Sequence, residues 1–154
     1  MNPERVSEIT PSEWEIMRII WTKGPSHSRE LIDLIQRKRD WTESTIKTLL
    51  GRLVKKGLLE TNKVGHKFIY STMVGELEAM NQTSQQLFDH LCAMKKGQTL
   101  FNLVEHTELT QDDIKDLQTL LEQKLKTAPK TVSCDCLPKE MEMMTEDCDC
   151  GEER

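Results

Sequence analysis

The sequence predicts a mainly α chain with one small β-hairpin and an irregular end, and three observations carry that expectation. Apolar residues recur at helical spacing through most of residues 11–125, and two strand-like runs interrupt them between residues 58 and 70. From Ala128-Pro129 onward all periodicity stops. At 154 residues the chain suits one small domain with a smaller attachment.

Thr10-Pro11-Ser12-Glu13 is a strong helix start, with a capping hydroxyl and a proline where the missing N–H is harmless. Trp14, Met17 and Trp21 then fall on one side, with Ile16, Ile19 and Ile20 beside them, so a helix of about three turns precedes the break at Gly24-Pro25. Ser26 or Ser28 caps a second helix carrying Leu31, Leu34 and Ile35, followed by Arg37-Lys38-Arg39-Asp40.

The stretch Trp41–Gly57 is the centre of this region. Thr42 is its expected N-cap, and Ile46, Leu49, Leu50, Leu53 and Val54 fall at helical spacing on one face, which is buried. Ser44, Thr45, Lys47, Thr48, Gly51, Arg52 and Lys55 lie mostly opposite, with Glu43 the single carboxylate near the start. Lys55, Lys56 and Gly57 supply a cationic last turn and a glycine stop. Three short helices with compact turns, the third apolar on one face and polar-basic on the other, form the pattern of a helix-turn-helix that reads DNA.

Leu58-Leu59-Glu60-Thr61 and Lys67-Phe68-Ile69-Tyr70 follow as strands around a loop holding Lys63, Gly65 and His66. A hairpin directly after the third helix makes the arrangement a winged helix-turn-helix, with the wing tip beside the DNA backbone. Lys63 and Lys67, with His66 as a third candidate, are the expected phosphate contacts.

The net charge of −5 would argue against nucleic acid if it were evenly spread. Residues 1–74 carry 13 Lys+Arg against 9 Asp+Glu, 75–127 carry 5 against 9, and 128–154 carry 3 against 8, so the balances are +4, −4 and −5. The excess cations therefore belong to the head. These three spans are the expected domains: a DNA-binding winged helix, a helical dimerisation region and a flexible Cys-rich tail.

In the second span Leu77, Met80, Ser84, Leu87, Leu91 and Met94 read as one helix ended by Gly97, with Cys92 inside it as a buried structural thiol. Thr99–His106 is a short helix, and Thr110-Gln111-Asp112-Asp113 opens another bearing Ile114, Leu117, Leu121 and Leu125. Such helices have little to pack on within one chain. Dimerisation follows, since a helix-turn-helix reads an inverted repeat with two copies ~34 Å apart.

The tail holds Met141, Met143, Met144 and two Cys-Asp-Cys pairs, Cys134/Cys136 and Cys148/Cys150. With an extended backbone the i and i+2 thiolates point the same way, so each pair grips one ion and two pairs make a closed four-thiolate set. That set suits Zn(II), whereas softer Cu(I) accepts two or three thiolates. A structural zinc clip and a disulfide-forming pair remain open for the same residues. The methionines read as filler rather than ligands, the four histidines lack ligand-like spacing, and without metal the tail is expected to be disordered.

No apolar run approaches the ~20 residues of a membrane span, and MNPERVSEIT lacks a signal-peptide core, so a soluble, cytoplasmic protein is expected. No Ser/His/Asp, paired-carboxylate or phosphate-loop arrangement suggests an enzyme, and metal storage would not require a basic winged head.

The runs ITPSEWEIMRIIW, WTESTIKTLLGRLVKKGLLE and FIYSTM, then LFNLVEH and LTQDDIKDLQTLL, resemble the BlaI/MecI/CopY family of bacterial repressors over roughly residues 8–127. Within it, the two Cys-x-Cys pairs look like the CopY-type copper-responsive branch. The resemblance implies a homodimer on a short inverted repeat with TACA/TGTA half-sites, ahead of copper-export genes. Zn(II) at Cys134, Cys136, Cys148 and Cys150 would hold the bound form, with Cu(I) as inducer and a copper chaperone as its candidate donor. The 11 residues between Cys136 and Cys148 exceed the usual spacing of that branch. The proteolysis-regulated branch is the alternative, but the bond aligned with its Asn-Phe cleavage point is Asn102-Leu103 here.

Overall fold

The computed structural model describes residues 8–138, so Met141, Met143, Met144, Cys148 and Cys150 lie outside the described residues. The chain divides into two compact units, residues 1–87 and 88–154.

The first unit runs α1 (Pro11–Lys23), β1 (Ser26–His27), α2 (Ser28–Lys38), α3 (Glu43–Lys55), β2 (Leu59–Val64) and β3 (Lys67–Thr72), and α4 (Glu76–Asp89) begins in it. The strands form one antiparallel sheet in the order β1-β3-β2. This is the expected winged helix, with a strand added. Thr10 and Glu13 form a reciprocal capping box at α1: the Thr10 hydroxyl accepts from the Glu13 N–H at 3.3 Å, and Glu13 Oε2 accepts from the Thr10 N–H at 3.1 Å. The Thr42 hydroxyl caps α3 without a reciprocal bond, accepting from the Thr45 N–H at 3.2 Å. Gly57, at φ 77°, ends α3: its N–H donates to Val54 and that of Leu58 to Leu53, each at 3.0 Å.

Two local expectations are corrected. His27 caps α2 rather than either serine, its Nδ1 accepting from the Glu30 N–H at 3.4 Å: the helix begins at Ser28, which leaves His27 at the cap, and the Ser26 hydroxyl donates instead to the Gly24 carbonyl at 2.9 Å. Ile32, not Leu34, completes the buried face of α2 with Leu31 and Ile35. The wing is also longer than the sequence suggested. Its strands continue to a two-residue turn, Gly65-His66, with Gly65 at φ 64°, so Lys63, expected in the loop, stands in β2 opposite Phe68, while Lys67 opens β3 as expected, opposite Val64.

Ile16, Met17 and Ile20 of α1 meet Leu31, Ile32 and Ile35 of α2 and Ile46, Leu49, Leu50 and Leu53 of α3 in one core. Burial of each such side chain stabilises the fold by about 1.5–3 kcal/mol relative to exposure. The apolar face of α3 is thereby committed to the core and its opposite face left in solvent. Trp14 and Trp21 pack with ring centroids 5.6 Å apart, and the Trp21 indole donates to the Val74 carbonyl at 2.9 Å.

In the second unit a single 3-10 turn, Ala93–Lys95, leads into α5 (Lys96–His106), and α6 (Gln111–Leu125) follows. The single helix expected up to Gly97 is therefore broken: α4 stops at Asp89, Cys92 sits in the intervening turn, and Gly97 falls inside α5. Apolar spacing registers phase rather than continuity, and Leu91 and Met94 keep the phase across the break. Thr110 and Asp113 form a capping box at α6, and the bonds from Thr110 hold the Asp113 carboxyl below its usual range. Neither α5 nor α6 buries a residue in this chain. Leu100, Phe101, Leu103 and Val104 on α5 and Ile114, Leu120, Leu121 and Leu125 on α6 are 43–77% exposed.

Candidate nucleic-acid interface and thiol cluster

The caps and the core fix α3 so that Ser44, Thr45, Lys47, Thr48, Arg52 and Lys55 are all exposed, as are Lys63 and Lys67 on the wing. Their commitments differ. The Thr48 hydroxyl donates to the Ser44 carbonyl at 2.9 Å, and Thr45 and Thr42 share a hydroxyl hydrogen bond at 2.9 Å. Lys47 Nζ lies 2.7 Å from Glu43 Oε1, and Arg29 of α2 lies 3.5 Å from Glu43 Oε2. Lys47 foremost, then Arg29, holds the Glu43 carboxyl below its usual range. Among the described residues, Arg52, Lys55, Lys63 and Lys67 enter no ion pair. Glu43, Ser44, Lys47 and Thr48 line a shallow open depression on α3.

Sequence reasoning passed over Arg29, whose link to Glu43 appears only when α2 and α3 are packed. Glu43→Gln is expected to raise affinity for any duplex by about two- to fivefold at low salt, because it releases Lys47 and Arg29 toward phosphate and removes a like charge. Anisotropy titrations on operator and random duplexes check this. A loss confined to operator would instead make Glu43 a base-reading acceptor.

Lys56 at the end of α3 reaches back to the start of α1. Its Nζ donates to Glu13 Oε2 and to the Glu8 carbonyl, each at 2.7 Å, and Glu13 is only 1% exposed. The sequence marked these residues only as a helix start and a cationic last turn. Together they pin one end of the candidate recognition helix to α1.

The second site lies wholly in the second unit. Leu91 closes the end of α4 by donating to the Phe88 carbonyl at 3.1 Å, and Cys92 turns out of helical geometry at φ −57°, ψ 125°. The tail meets this turn: Asp135 Oδ1 accepts from the Ala93 N–H at 2.8 Å. Cys134 and Cys136 flank that anchor, and their sulfurs with that of Cys92 lie within 4.8 Å of one another. Cys92 Sγ and Cys134 Sγ are 3.7 Å apart, far beyond the ~2.05 Å of a disulfide. Hydrogen bonding with Cys134, and next with Cys92, pushes the Cys136 thiol up to about 12.

Of the four sequence-predicted metal ligands, Cys134 and Cys136 are brought together, and Cys148 and Cys150 lie outside the described residues. Cys92 was expected to be a buried structural thiol within a helix; it is half-buried in a turn and faces the tail pair. Asn102-Leu103 sits inside α5.

The family model for the penicillinase repressor matches residues 9–123, a span that ends before the tail cysteines. The chain is 57% identical over 150 residues to an uncharacterized 16.5 kDa protein in the ptsI 3′ region of Latilactobacillus sakei, covering 97% of this chain and 98% of that one. It is 36% identical over 117 residues to the methicillin resistance regulatory protein MecI of Mammaliicoccus sciuri, covering 76% of this chain and 95% of that one. Among solved structures it is similar to the DNA-binding domain of the repressor BlaI, at 33% identity and a TM-score of 0.45 over 47% of this chain and 89% of that one.

Proposed function

The chain belongs to the penicillinase repressor family, and on that premise we propose that it is a metal-responsive, DNA-binding transcriptional repressor that controls copper-export genes. It acts as a homodimer that holds an inverted-repeat operator in its Zn(II) form and lets go when Cu(I) replaces the zinc. The observation that supports this most is that one chain carries both an exposed cationic face on α3 and a convergence of thiols.

Arg52 and Lys55 on α3, with Lys63 and Lys67 on the wing, supply the charge that draws the protein to phosphate. Ser44, Thr45, Lys47 and Thr48 meet the groove, where short hydroxyls and Lys47 distinguish base edges or settle on the backbone. The exposed apolar rows of α5 and α6 are the expected seam with a second copy, which supplies the second α3. Cys134 and Cys136 hold the metal, joined by Cys148 and Cys150 as the resemblance implies. Their all-sulfur donor set fits thiophilic ions: Zn(II) favours four thiolates in a closed set, and Cu(I) is satisfied by two or three. The two ions therefore draw in different amounts of chain, and a differential of that kind is what shifts a two-state equilibrium.

The test is fluorescence anisotropy of the Zn(II)-loaded protein on a duplex with TACA/TGTA half-sites, titrated with Cu(I) at fixed salt. Stoichiometric Cu(I) is expected to release the DNA, and Cys134→Ser with Cys136→Ser is expected to make DNA binding insensitive to both Zn(II) and Cu(I). Tight binding that ignores Cu(I) would reduce the tail to a structural clip and favour the proteolysis-regulated branch. A blank footprint across whole promoters would overturn the repressor reading itself.

A further inference from the structure

We propose that Cys92 is itself a metal ligand, so that Cys92, Cys134 and Cys136 form a three-thiolate site for a soft d10 ion at the turn between α4 and α5. This rests on the metal-responsive reading above and changes where the metal acts. Cys92 stands 42 residues before Cys134, yet its sulfur and those of Cys134 and Cys136 lie within 4.8 Å of one another. A Zn–S bond of about 2.3 Å places neighbouring sulfurs of a tetrahedral site about 3.8 Å apart, and a trigonal ion with similar bonds places them about 4 Å apart. The 3.7 Å between Cys92 and Cys134 falls at that edge length rather than at a disulfide bond.

The backbone around the sulfurs supports the same conclusion. Asp135, between the two tail cysteines, ties the tail to the turn by accepting from the Ala93 N–H at 2.8 Å, which brings Cys134 and Cys136 to Cys92. Cys92 escapes helical geometry, and its carbonyl accepts from the Lys95 N–H at 3.0 Å, which fixes the turn that presents the sulfur. Three thiolates suffice for a trigonal Cu(I), whereas Zn(II) takes a fourth donor in addition to them.

The consequence is mechanical. An ion held only by the tail would constrain only the tail, but one shared with Cys92 clamps the tail onto the turn that joins α4 to α5. α4 is continuous in sequence with β3 of the winged head, and α5 and α6 carry the apolar rows expected to meet a second copy. Metal occupancy is thus written into the helical region that sets the spacing of the two heads.

The experiment uses the full chain under anaerobic conditions, comparing alkylation of each cysteine in the metal-free protein with that after one equivalent of Zn(II) or Cu(I). Mass spectrometry is expected to show Cys92 slowed at least tenfold, together with Cys134 and Cys136. Zn(II) affinity by chelator competition is expected to fall at least tenfold in Cys92→Ser, and less in Cys148→Ser with Cys150→Ser. Protection of Cys134 and Cys136 with Cys92 unchanged would overturn the proposal and leave the tail site standing. Protection of Cys92 with unchanged affinity in Cys92→Ser would mean shielding by the tail and would also overturn it. If no cysteine is protected, the metal-responsive reading falls with it. Unchanged circular dichroism of Cys92→Ser keeps an affinity loss from being misread as misfolding.

Discussion

Lys56→Met is expected to destabilise the winged head by about 2–3 kcal/mol, because it leaves the Glu13 carboxylate buried without its cation. The full penalty for orphaning a buried charge runs to about 3–5 kcal/mol, and the lower figure applies because the Lys56 side chain is 28% exposed and water shares in its solvation. For a head of this size the loss is expected to lower Tm by roughly 10 °C or more, read by thermal unfolding or by the urea midpoint. Glu13→Gln combined with Lys56→Met is expected to recover more than half of it. Glutamine keeps the capping-box bond to the Thr10 N–H and no longer carries charge. A single Lys56→Met variant as stable as the parent would show that the pair is only tethered in solvent. The point bears on function, since Lys56 ends the helix whose opposite face is proposed to meet DNA.

Much of the head was legible because its signals are local. Thr10, Thr42 and Thr110 all cap as their side-chain chemistry predicts, and Gly57 stops α3 with a positive φ that favours glycine. Ile46, Leu49, Leu50 and Leu53 are buried as a 3.6-residue period requires, with Val54 half-buried at the end of the row. What escaped the sequence is what depends on distant partners. Two residues cannot show an alternation, so β1 is visible only through its pairing with β3. The wing is exposed along most of its length, so no inside-outside pattern marked where its strands end. The exposed face of α3 was readable as a pattern of hydroxyls and cations, whereas the ion pairs that occupy Lys47 and Arg29 were not. Cys92 is the sharpest case. An apolar flank made it look like core, and its approach to Cys134 spans 42 residues that carry no local signal of the contact.

Phe101→Glu combined with Leu121→Glu is expected to make the protein monomeric and to weaken binding to a full inverted repeat by at least about 100-fold, while leaving half-site binding nearly unchanged. Among the described residues α5 and α6 have no fully buried side chain, with Phe101 71% and Leu121 60% exposed. Helices of 11 and 15 residues are marginal alone in water, so something must cover their apolar sides for them to persist. A second copy is the covering that the proposed homodimer would supply, and each large side chain it buried would contribute about 1.5–3 kcal/mol. Two glutamates on each partner put four charges into that seam. Once the copies separate, the second head loses its effective concentration of about millimolar, the usual source of a 10²–10⁴ gain in avidity. Sedimentation equilibrium and anisotropy on full and half sites read the two effects separately. A variant that stays dimeric with unchanged operator affinity would remove α5 and α6 from the interface. A monomer that still bound the full repeat tightly would show that one head suffices, and the control of head spacing by metal would then have nothing to act on.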